Sequence, residues 1–492
     1  MAKYHFIGMC GKAMGTLALM LQSQGHTVTG SDDGFYEPML SYLTSHNITF
    51  YTGHKPENIP TDVDYIVIGK HAKLVPETNM EVKQAFDKYK EKIKSLPEIL
   101  NTLTKNKDTI ICAGSFGKSS ITTLTSFILE NTGVNPSYFI GAVPIDLIDS
   151  GKLTNSNLFV LEGDEYPSSN FDESPKFLHY NPQNVILTSC EHDHVNVYPT
   201  LESYLKPYQD LLKLIPSDGL LVYAKDGAHI EDILKNINFK KISYGLDSSS
   251  NYYPENIKFG DITYFDLMKD GEFIINIETI LLGKHNILNI IGVCAMLLEK
   301  NLVSPLQLQN AIKIFHGVKG RLDKKTLPRD SLNEAEILNT TIPIIESYGS
   351  SLAKARADID AIKLHYKDKK IIDIFEPHTF GWRNRANLHW YDTAFNDVDI
   401  VYIFHPPSHG ASADQLTVDK IVNRVNLSET SQLAQEPFLR KKAIAAANKE
   451  EVYELLKQDL TADSLILLTT SGSLDNLPEE LPKEINSLIA RA

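Results

Sequence analysis

Residues 108–120 read Asp-Thr-Ile-Ile-Cys-Ala-Gly-Ser-Phe-Gly-Lys-Ser-Ser, and this stretch decides how the centre of the chain folds. An apolar, β-branched run ends in a glycine turn, and a helical pattern opens at Lys118 and continues through Leu129. Glycines let the backbone approach an anion, the N–H groups at a helix start point toward it, and a lysine adds a full positive charge. The stretch therefore predicts a phosphate site made by Gly114, Ser115, Gly117, Lys118, Ser119 and Ser120.

The spacing of this loop is G-x-x-G-K-S, and the hydroxyl after the lysine suits a Mg²⁺ ion. The loop differs from the standard Walker loop because Cys112 stands where the first glycine of that motif belongs. The alternative is an ordinary strand, turn and helix with a chance Gly-Lys-Ser sequence. Motifs elsewhere in the chain are needed to distinguish it from a phosphate site.

The composition is that of a soluble, cytoplasmic protein. The 492 residues correspond to roughly three domains of ~150 residues each. Acidic residues outnumber basic ones by 62 to 48, for a formal charge of −14, which argues against a broad nucleic-acid or anionic-membrane surface. The four cysteines are widely separated and predict isolated, reduced thiols. Neither a signal peptide nor an apolar run near ~20 residues is visible.

Strand and helix signals alternate along the chain, which predicts an α/β fold of three consecutive domains. We expect a Rossmann-like domain over 1–105, a central P-loop ATPase-like domain over 106–319 and a Rossmann-like C-terminal domain over 320–492. Residues 241–280, rich in Tyr, Ile and Phe, predict antiparallel strands added to the central domain. The other predicted strands are Tyr4–Gly8, Thr27–Gly30, Tyr65–Gly69, Leu158–Leu161, Val185–Leu187, Ile371–Phe375, Ile400–Phe404 and Leu465–Leu468.

The first predicted strand is followed by a glycine-rich turn with Gly8, Gly11 and Gly15, and Asp32 follows the second strand. This G-x-x-G-x-x-x-G pattern differs from the G-x-G-x-x-G fingerprint of dinucleotide enzymes. A nucleotide diphosphate could still rest on such a helix start. Close packing of a helix on a strand, with no ligand, is the alternative.

Acidic and imidazole groups follow two predicted strands of the central domain. Residues 162–165 read Glu-Gly-Asp-Glu, and residues 190–194 read Cys-Glu-His-Asp-His. Ligands of open α/β sheets bind at the carboxyl ends of the strands, and carboxylates there suit a hard cation. Together with the Gly-Lys-Ser loop, these groups form a minimal set for Mg²⁺-ATP. Either cluster alone would be interpreted as a solvated acidic loop.

Two further segments carry polar side chains that suit a ligand. His285, Asn286 and Asn289 begin a helical pattern, where they either bond a purine edge or cap the helix. In the third domain His378 follows a strand, and Arg383 and Arg385 come shortly after it. Two arginines at i and i+2 suit carboxylate recognition because each guanidinium binds bidentately. A solvated turn is the alternative for the arginines.

The order of these motifs resembles the Mur ligases, ATP-dependent amide-forming enzymes of peptidoglycan synthesis, over essentially the whole chain. The loop at 114–119 is similar to the family's G-T-H-G-K-T, 162–165 to its E-A-D-E, 191–194 to its E-x-D-H and 285–289 to its H-N-x-x-N. The closest likeness is to the branch that recycles cell-wall peptide. Segments 8–15, 30–39, 164–180 and 317–322 carry that likeness.

The resemblance implies a division of labour among the three domains. The first would bind UDP-N-acetylmuramate, the second ATP and Mg²⁺, and the third the peptide L-alanyl-γ-D-glutamyl-meso-diaminopimelate. Lys118 would bind ATP phosphates, and Ser119, Glu162 and His194 would carry Mg²⁺. His285, Asn286, Asn289 and Arg321 would meet the nucleotide, Gly8, Gly11, Gly15 and Asp32 the UDP-sugar, and His378, Arg383 and Arg385 the amine substrate. Lys118, Glu162 and His194 are the catalytic candidates, in a monomer or homodimer.

Other functions stay open at this point. A ligase that adds L-alanine to the same UDP-sugar is the first alternative. A Mur-ligase-like binding protein without turnover is the second, because Phe116, Ser350 and Ser351 stand where the family has histidines. An NAD-dependent oxidoreductase rests only on the first domain, and the imperfect glycine pattern disfavours it.

Overall fold

The computed structural model describes residues 1–37, 39–194, 197–235, 237, 239–325, 342–407, 415–430 and 442–489. The chain divides into two compact units. The first comprises Met1–Lys258, Tyr264–Thr279 and His285–Val318, and the second comprises Phe259–Thr263, Ile280–Lys284 and Lys319–Ala492. No helix within the described residues combines the length and apolarity needed to cross a bilayer. All four cysteines are free thiols.

The N-terminal part of the first unit is built on a five-stranded parallel sheet in the order β3-β2-β1-β4-β5. Its strands are β1 (Lys3–Ile7), β2 (Thr27–Asp32), β3 (Thr49–Thr52), β4 (Tyr65–Ile68) and β5 (Ile93–Lys94). Its helices are α1 (Lys12–Ser23), α2 (Met39–Ser45), α3 (Met80–Tyr89) and α4 (Leu96–Thr104). The chain leaves β1 toward β2 on one side and places β4 on the other. The crevice between β1 and β4 is thus the switch point at which open α/β sheets bind ligands.

The rest of the first unit is built on a ten-stranded sheet in the order β15-β14-β13-β12-β11-β10-β6-β9-β7-β8. Its strands are β6 (Asp108–Ala113), β7 (Ser137–Phe139), β8 (Gly151–Lys152), β9 (Leu158–Gly163), β10 (Asn184–Leu187), β11 (Leu220–Ala224), β12 (Lys240–Tyr244), β13 (Tyr252–Lys258), β14 (Thr263–Lys269) and β15 (Glu272–Thr279). Its helices are α5 (Lys118–Asn131), α6 (Leu201–Leu214), α7 (Ile230–Ile233), α8 (Lys284–Glu299) and α9 (Pro305–Lys313).

Three parallel strands at the centre of this sheet, β10, β6 and β9, are almost entirely buried. Strands covered by helices on both faces are apolar throughout, which is why these segments are easy to recognise in the sequence. The expected antiparallel addition over 241–280 is confirmed for β13 and β14. The strand β12 instead pairs parallel with β11 and extends the central sheet.

The second unit is built on a six-stranded sheet in the order β16-β17-β21-β18-β19-β20, parallel except for β16. Its strands are β16 (Asp323–Lys324), β17 (Ile344–Ser347), β18 (Lys370–Phe375), β19 (Ile400–Phe404), β20 (Ala443–Ala446) and β21 (Ser464–Thr469). Its helices are α10 (Leu352–His365), α11 (Phe380–Arg383), α12 (Val418–Thr430), α13 (Lys449–Asp459) and α14 (Leu477–Ile489). Alternate residues of β18 enter two separate apolar clusters, one on each face of the sheet.

Candidate active site

The predicted phosphate loop is the connection between β6 and α5. Gly114 and Gly117 have φ of +129° and +80°, a region that side-chain-bearing residues rarely adopt. The loop is also tightly packed, since a Cβ on Gly117 would lie 2.8 Å from Asn289 Oδ1 and one on Gly114 would overlap Thr188 Oγ1. The backbone therefore needs glycine at both positions, for conformation and for space.

The start of α5 is suited to an anion. Its first turn contains no acidic residue, and Gly117 at the N-cap supplies no side-chain cap. The first N–H groups of a helix have no partner inside the helix and carry the positive end of its dipole. A phosphate at this position would receive those N–H groups as donors.

Lys118 is the first residue of α5, and its ammonium group is held by acceptors on both sides. Its Nζ donates to the Gly114 carbonyl at 2.9 Å and to Glu165 Oε2 at 2.7 Å. Burial alone would lower the pKa of Lys118, but the carboxylates of Glu165, Asp164 and Glu162 outweigh it and raise that pKa. Lys118 is therefore charged at neutral pH.

Ser119 and Glu162 form a second contact beside the lysine. Ser119 Oγ donates to Glu162 Oε1 at 2.7 Å, and the Gly141 N–H donates to the other carboxylate oxygen at 2.7 Å. The two oxygen-bearing side chains of the predicted metal set thus lie together at the start of α5.

Glu165 is the central acceptor of the site, although sequence reasoning singled out Glu162 and not Glu165. Its side chain is 1% exposed, and it accepts from Lys118, from the Tyr204 hydroxyl at 3.3 Å and from His194, whose Nε2 lies 3.3 Å away. Burial would raise the pKa of Glu165, but Lys118 and His194 lower it. The residue types alone do not rank three carboxylates within four residues, because the alternation of faces ends with the strand, and the preference for Glu162 came from the family resemblance.

His194 completes this group of side chains. Its φ is +54°, in the left-handed region, and its ring meets the Tyr166 ring edge-on at 5.2 Å between centroids. The structure therefore brings Lys118, Glu165 and His194 into one corner, which we call the Lys118 corner.

The donors around this corner fit Mg²⁺ that keeps water and phosphate oxygens in its shell. Ser119 and Glu162 contact each other, whereas His194 contacts Glu165. Across the described ranges, no group of three or more His, Cys, Asp or Glu side chains forms a ready metal cage. Mg²⁺ is bound in proteins by one or two side-chain oxygens together with substrate phosphates, and such a set is present here.

The start of α8 lies against the phosphate loop. Asn286 and Asn289 are both 8% exposed, and Asn289 Nδ2 donates to Asn286 Oδ1 at 3.3 Å. Asn289 is the side chain that a Cβ on Gly117 would meet. His285 precedes them in the first turn of the same helix. The predicted nucleotide residues of this segment are thus beside the loop, while Arg321 is exposed in the second unit.

The glycine turn of the N-terminal sheet is braced by Asp32. Gly8 has φ of +86°, Gly11 precedes α1 as its N-cap, and Gly15 is buried inside that helix. Asp32 Oδ2 accepts from the Cys10 N–H at 2.8 Å, so this side chain fixes the turn. All four predicted residues lie at the carboxyl edge of the sheet.

The predicted residues of the second unit follow β18. Arg383 Nη1 donates to the Pro407 carbonyl at 3.0 Å, whereas Arg385 is exposed. His378 Nδ1 lies 3.5 Å from Glu376 Oε1, and Glu376 also accepts from the Thr470 hydroxyl at 2.5 Å. These groups lie at the carboxyl ends of β18 and β21, where an open sheet binds its ligand.

Comparison with protein families identifies this arrangement. Residues 3–107 match the model "Mur ligase family, catalytic domain", and residues 112–297 match "Mur ligase middle domain". Together the two matches span more than half of the chain. This chain belongs to the Mur ligase family.

Similar proteins include Mur ligases of two branches. The UDP-N-acetylmuramate–L-alanine ligase of Clostridium acetobutylicum is 27% identical over 97% of this chain and 96% of that protein. The UDP-N-acetylmuramate–L-alanyl-γ-D-glutamyl-meso-2,6-diaminoheptandioate ligase of Escherichia coli is 26% identical over 65% of this chain and 69% of that protein. The crystal structure of the UDP-N-acetylmuramate–alanine ligase of Thermotoga maritima has a TM-score of 0.75 at 19% identity, covering 99% of this chain and 100% of that one.

These findings confirm the three-domain α/β fold and the enzyme class expected from the sequence. Mur ligases are ATP-dependent ligases of peptidoglycan synthesis, and this Mur ligase is an enzyme of that class. The two branches among the relatives differ in the amine that their names specify.

Proposed function

We propose that this Mur ligase joins the carboxylate of UDP-N-acetylmuramate to the amine of L-alanyl-γ-D-glutamyl-meso-diaminopimelate, with consumption of ATP. The observation that carries the proposal is the Lys118 corner beside the start of α5 and the Ser119–Glu162 pair. It combines a free helix start, a charged lysine and oxygen donors in one place. Phosphoryl transfer depends on such positioning and charge neutralisation more than on a covalent nucleophile.

In the proposed reaction a carboxylate oxygen of the sugar attacks the γ-phosphorus of ATP, and ADP leaves. The amine then attacks the carbonyl carbon of the acyl phosphate, and inorganic phosphate leaves with the C–O electron pair. The nitrogen gives up one proton, which the departing phosphate can accept, and an amide forms. Lys118 and the N–H groups of α5 hold the phosphates, and Glu165 keeps Lys118 in place until a phosphate competes for it. Ser119 and Glu162, with His194 nearby, would hold Mg²⁺, which neutralises charge on the β- and γ-phosphates when bound.

The three domains would divide the substrates among them. We assign the UDP-sugar to 1–105, ATP to 106–319 and the peptide to 320–492. The glycine turn braced by Asp32 supports the first assignment, and Asn286 and Asn289 beside the phosphate loop support the second. The arginines and His378 at the sheet edge of the second unit support the third. Because both nucleotide substrates are cytoplasmic metabolites, we place the enzyme in the cytoplasm, as a monomer or homodimer.

The peptide acceptor is preferred to L-alanine because of the segment after Asp164. Its sequence, Asp-Glu-Tyr followed by 171–180, is the part that resembles the peptide-adding branch. The Escherichia coli relative whose name specifies the peptide is consistent with this choice. The L-alanine ligase of Clostridium acetobutylicum, which is similar over its whole length, makes L-alanine the second candidate.

The test is phosphate release by the purified protein with ATP, Mg²⁺ and UDP-N-acetylmuramate, while only the amine is varied. We expect release with the tripeptide, little with L-alanine, and an amide product of the matching mass. Lys118→Ala is the control and should reduce release at least about a hundredfold. Phosphate release with L-alanine and not with the tripeptide would mean that L-alanine is the acceptor. Phosphate release no higher than in Lys118→Ala with any amine would favour a binding protein without turnover.

A further inference from the structure

Lys70 follows a strand of the N-terminal sheet and lies over Tyr166, whose ring packs against His194 of the Lys118 corner. It follows β4 by two residues, and the preceding Gly69 donates its N–H to the Ile7 carbonyl at 2.9 Å, at the end of β1. Lys70 thus stands at the crevice between β1 and β4. Its Nζ lies 5.0 Å from the centroid of the Tyr166 ring, and that ring also contacts His194.

A second lysine faces the same ring. Lys176 Nζ lies 5.9 Å from the Tyr166 centroid and is paired with Asp164 Oδ2 at 2.6 Å. Lys70 makes no ion pair with any residue in the described part of the chain. Burial and the charge of Lys176 lower the pKa of Lys70, and the opposing charges of Glu173, Asp164 and Asp172 do not cancel this effect. An anion between the two lysines would relieve their repulsion.

The loop that carries Lys70 is fixed to the central domain. Asn170 Nδ2 donates to the His71 carbonyl at 2.8 Å and to the Leu74 carbonyl at 3.0 Å. Phe171, next in the chain, packs on Phe86 of α3 with 4.7 Å between ring centroids. These contacts fix the backbone that follows Lys70, and from this backbone its exposed side chain extends over the Tyr166 ring.

The position of Lys70 indicates which anion it meets. On one side is the glycine turn at Gly8, where a Cβ would lie 3.8 Å from Gly69 Cα. On the other side, through Tyr166, is the Lys118 corner. A UDP-sugar whose diphosphate rests on the turn and whose carboxylate reaches the γ-phosphate would pass this point with its carboxylate end.

We propose that Lys70 is a positioning residue that binds the carboxylate of the UDP-sugar and directs it toward the Lys118 corner. This inference rests on the proposed function. It adds a residue of the first domain that distinguishes a carboxylate-bearing sugar from one without it.

The test compares two nucleotides that differ in the carboxylate. UDP-N-acetylmuramate and UDP-N-acetylglucosamine share nucleotide and sugar, but only the first carries the lactyl carboxylate. Calorimetric titration without ATP should show tighter binding of the first. Lys70→Met should weaken that binding about tenfold, leave UDP-N-acetylglucosamine binding within about twofold, and Lys70→Arg should keep most of the affinity.

The matched control is Lys83→Met. Lys83 is an exposed lysine of α3, so this substitution removes the same charge outside the proposed contact. It should leave both affinities unchanged, and all variants should unfold at the wild-type temperature. In turnover, Lys70→Met should raise KM for UDP-N-acetylmuramate and not KM for ATP.

Several outcomes would overturn the proposal. If Lys70→Met weakened the binding of both nucleotides equally, Lys70 would contact the diphosphate and not the carboxylate. If it weakened neither, Lys70 would not contact the UDP-sugar. If no amine supports phosphate release while Lys70→Met still removes the preference for the carboxylate, the proposed function fails and the Lys70 assignment stands. Absence of UDP-N-acetylmuramate binding by the wild type overturns both.

Discussion

At the scale of single residues, the ion pair between Lys118 and Glu165 has to satisfy two demands. Without ATP it keeps two nearly buried charges neutralised, since their side chains are 15% and 1% exposed. In the proposed reaction Lys118 must also bind phosphate. Glu165 can release it because His194 and the Tyr204 hydroxyl remain as partners of the carboxylate. An exchange of partners is thus possible without leaving a bare charge.

Removal of Lys118 alone should therefore cost stability as well as activity. In Lys118→Met the Glu165 carboxylate loses its main cation inside the protein, and we expect the free energy of unfolding to fall by about 3 kcal/mol. Adding Glu165→Gln should restore part of this loss, because an amide costs less to bury than an unpaired carboxylate. Urea unfolding of the two single variants and the double variant measures the coupling. If the double variant is less stable by the sum of the two single losses, the two side chains are not coupled.

At the scale of elements, the loop between β6 and α5 depends on the left-handed conformation of Gly117. Gly133, just after the end of α5, has a similar φ of +82° and no atom within 4 Å of a Cβ, so it provides a matched control. Gly133→Ala should cost only the conformational strain, about 1–2 kcal/mol. Gly117→Ala adds a contact with Asn289 and displaces the loop, so it should raise KM for ATP at least about tenfold while Gly133→Ala leaves it unchanged. Equal KM values in both variants would show that the loop does not bind ATP.

The elements that could be predicted from the sequence are those whose burial determines their composition. The strands β6, β9, β10, β18, β19 and β21 are covered on both faces, and each contains a short run that is mostly apolar. The short strands β3 and β5 are partly exposed, so their composition does not distinguish them from loops. The strand β12 begins with two lysines, so its composition did not indicate that it pairs parallel with β11.

The side chains of the site could be predicted only as a group. The position of Glu162, Asp164 and Glu165 at the end of a predicted strand indicated a ligand site. In the structure Glu162 lies at the end of β9, and Asp164 and Glu165 follow the strand directly. Which carboxylate meets which cation depends on the turn after β9, and nothing in the residue types specifies it. Lys70 was missed for the same reason, because its contact with Tyr166 joins residues 96 positions apart in two domains.

At the scale of the whole molecule, the two compact units carry buried carboxylates whose pKa values are displaced in opposite directions. In the first unit, burial would raise the pKa values of Asp164 and Glu165, but neighbouring cations lower them. In the second unit, burial raises the pKa of Asp373 to about 7, with repulsion from Asp358 adding to it. Burial also raises the pKa of Asp358 to about 6, against the opposing charge of Arg321. The units should therefore respond differently to pH.

The sign of each response follows from proton linkage. A carboxyl whose pKa is lowered by folding contributes stability above its unfolded pKa near ~4, and this contribution is lost only as pH falls through the folded value. The stability that Asp164 and Glu165 contribute to the first unit should therefore stay constant between pH ~5 and ~8. A carboxyl whose pKa is raised contributes stability at low pH that is lost as pH rises through the folded value. The second unit should therefore lose stability as pH rises from ~4 to ~7.

Scanning calorimetry should resolve this difference, because chains with more than one compact unit need not unfold in a single step. As pH rises from 5 to 8, the transition of the second unit should move to lower temperature, with a loss of about 3 kcal/mol from Asp373. On the proposed function the first unit binds ATP, so an ATP analogue should raise the transition temperature of that unit and so distinguish the two transitions. Asp373→Asn should remove most of the pH shift, whereas Asp368→Asn, at an exposed carboxylate of the same unit, should not. An unchanged shift in Asp373→Asn would mean that Asp373 does not cause the pH dependence, and Asp358, the other buried carboxyl of this unit with a raised pKa, would then be the residue to replace.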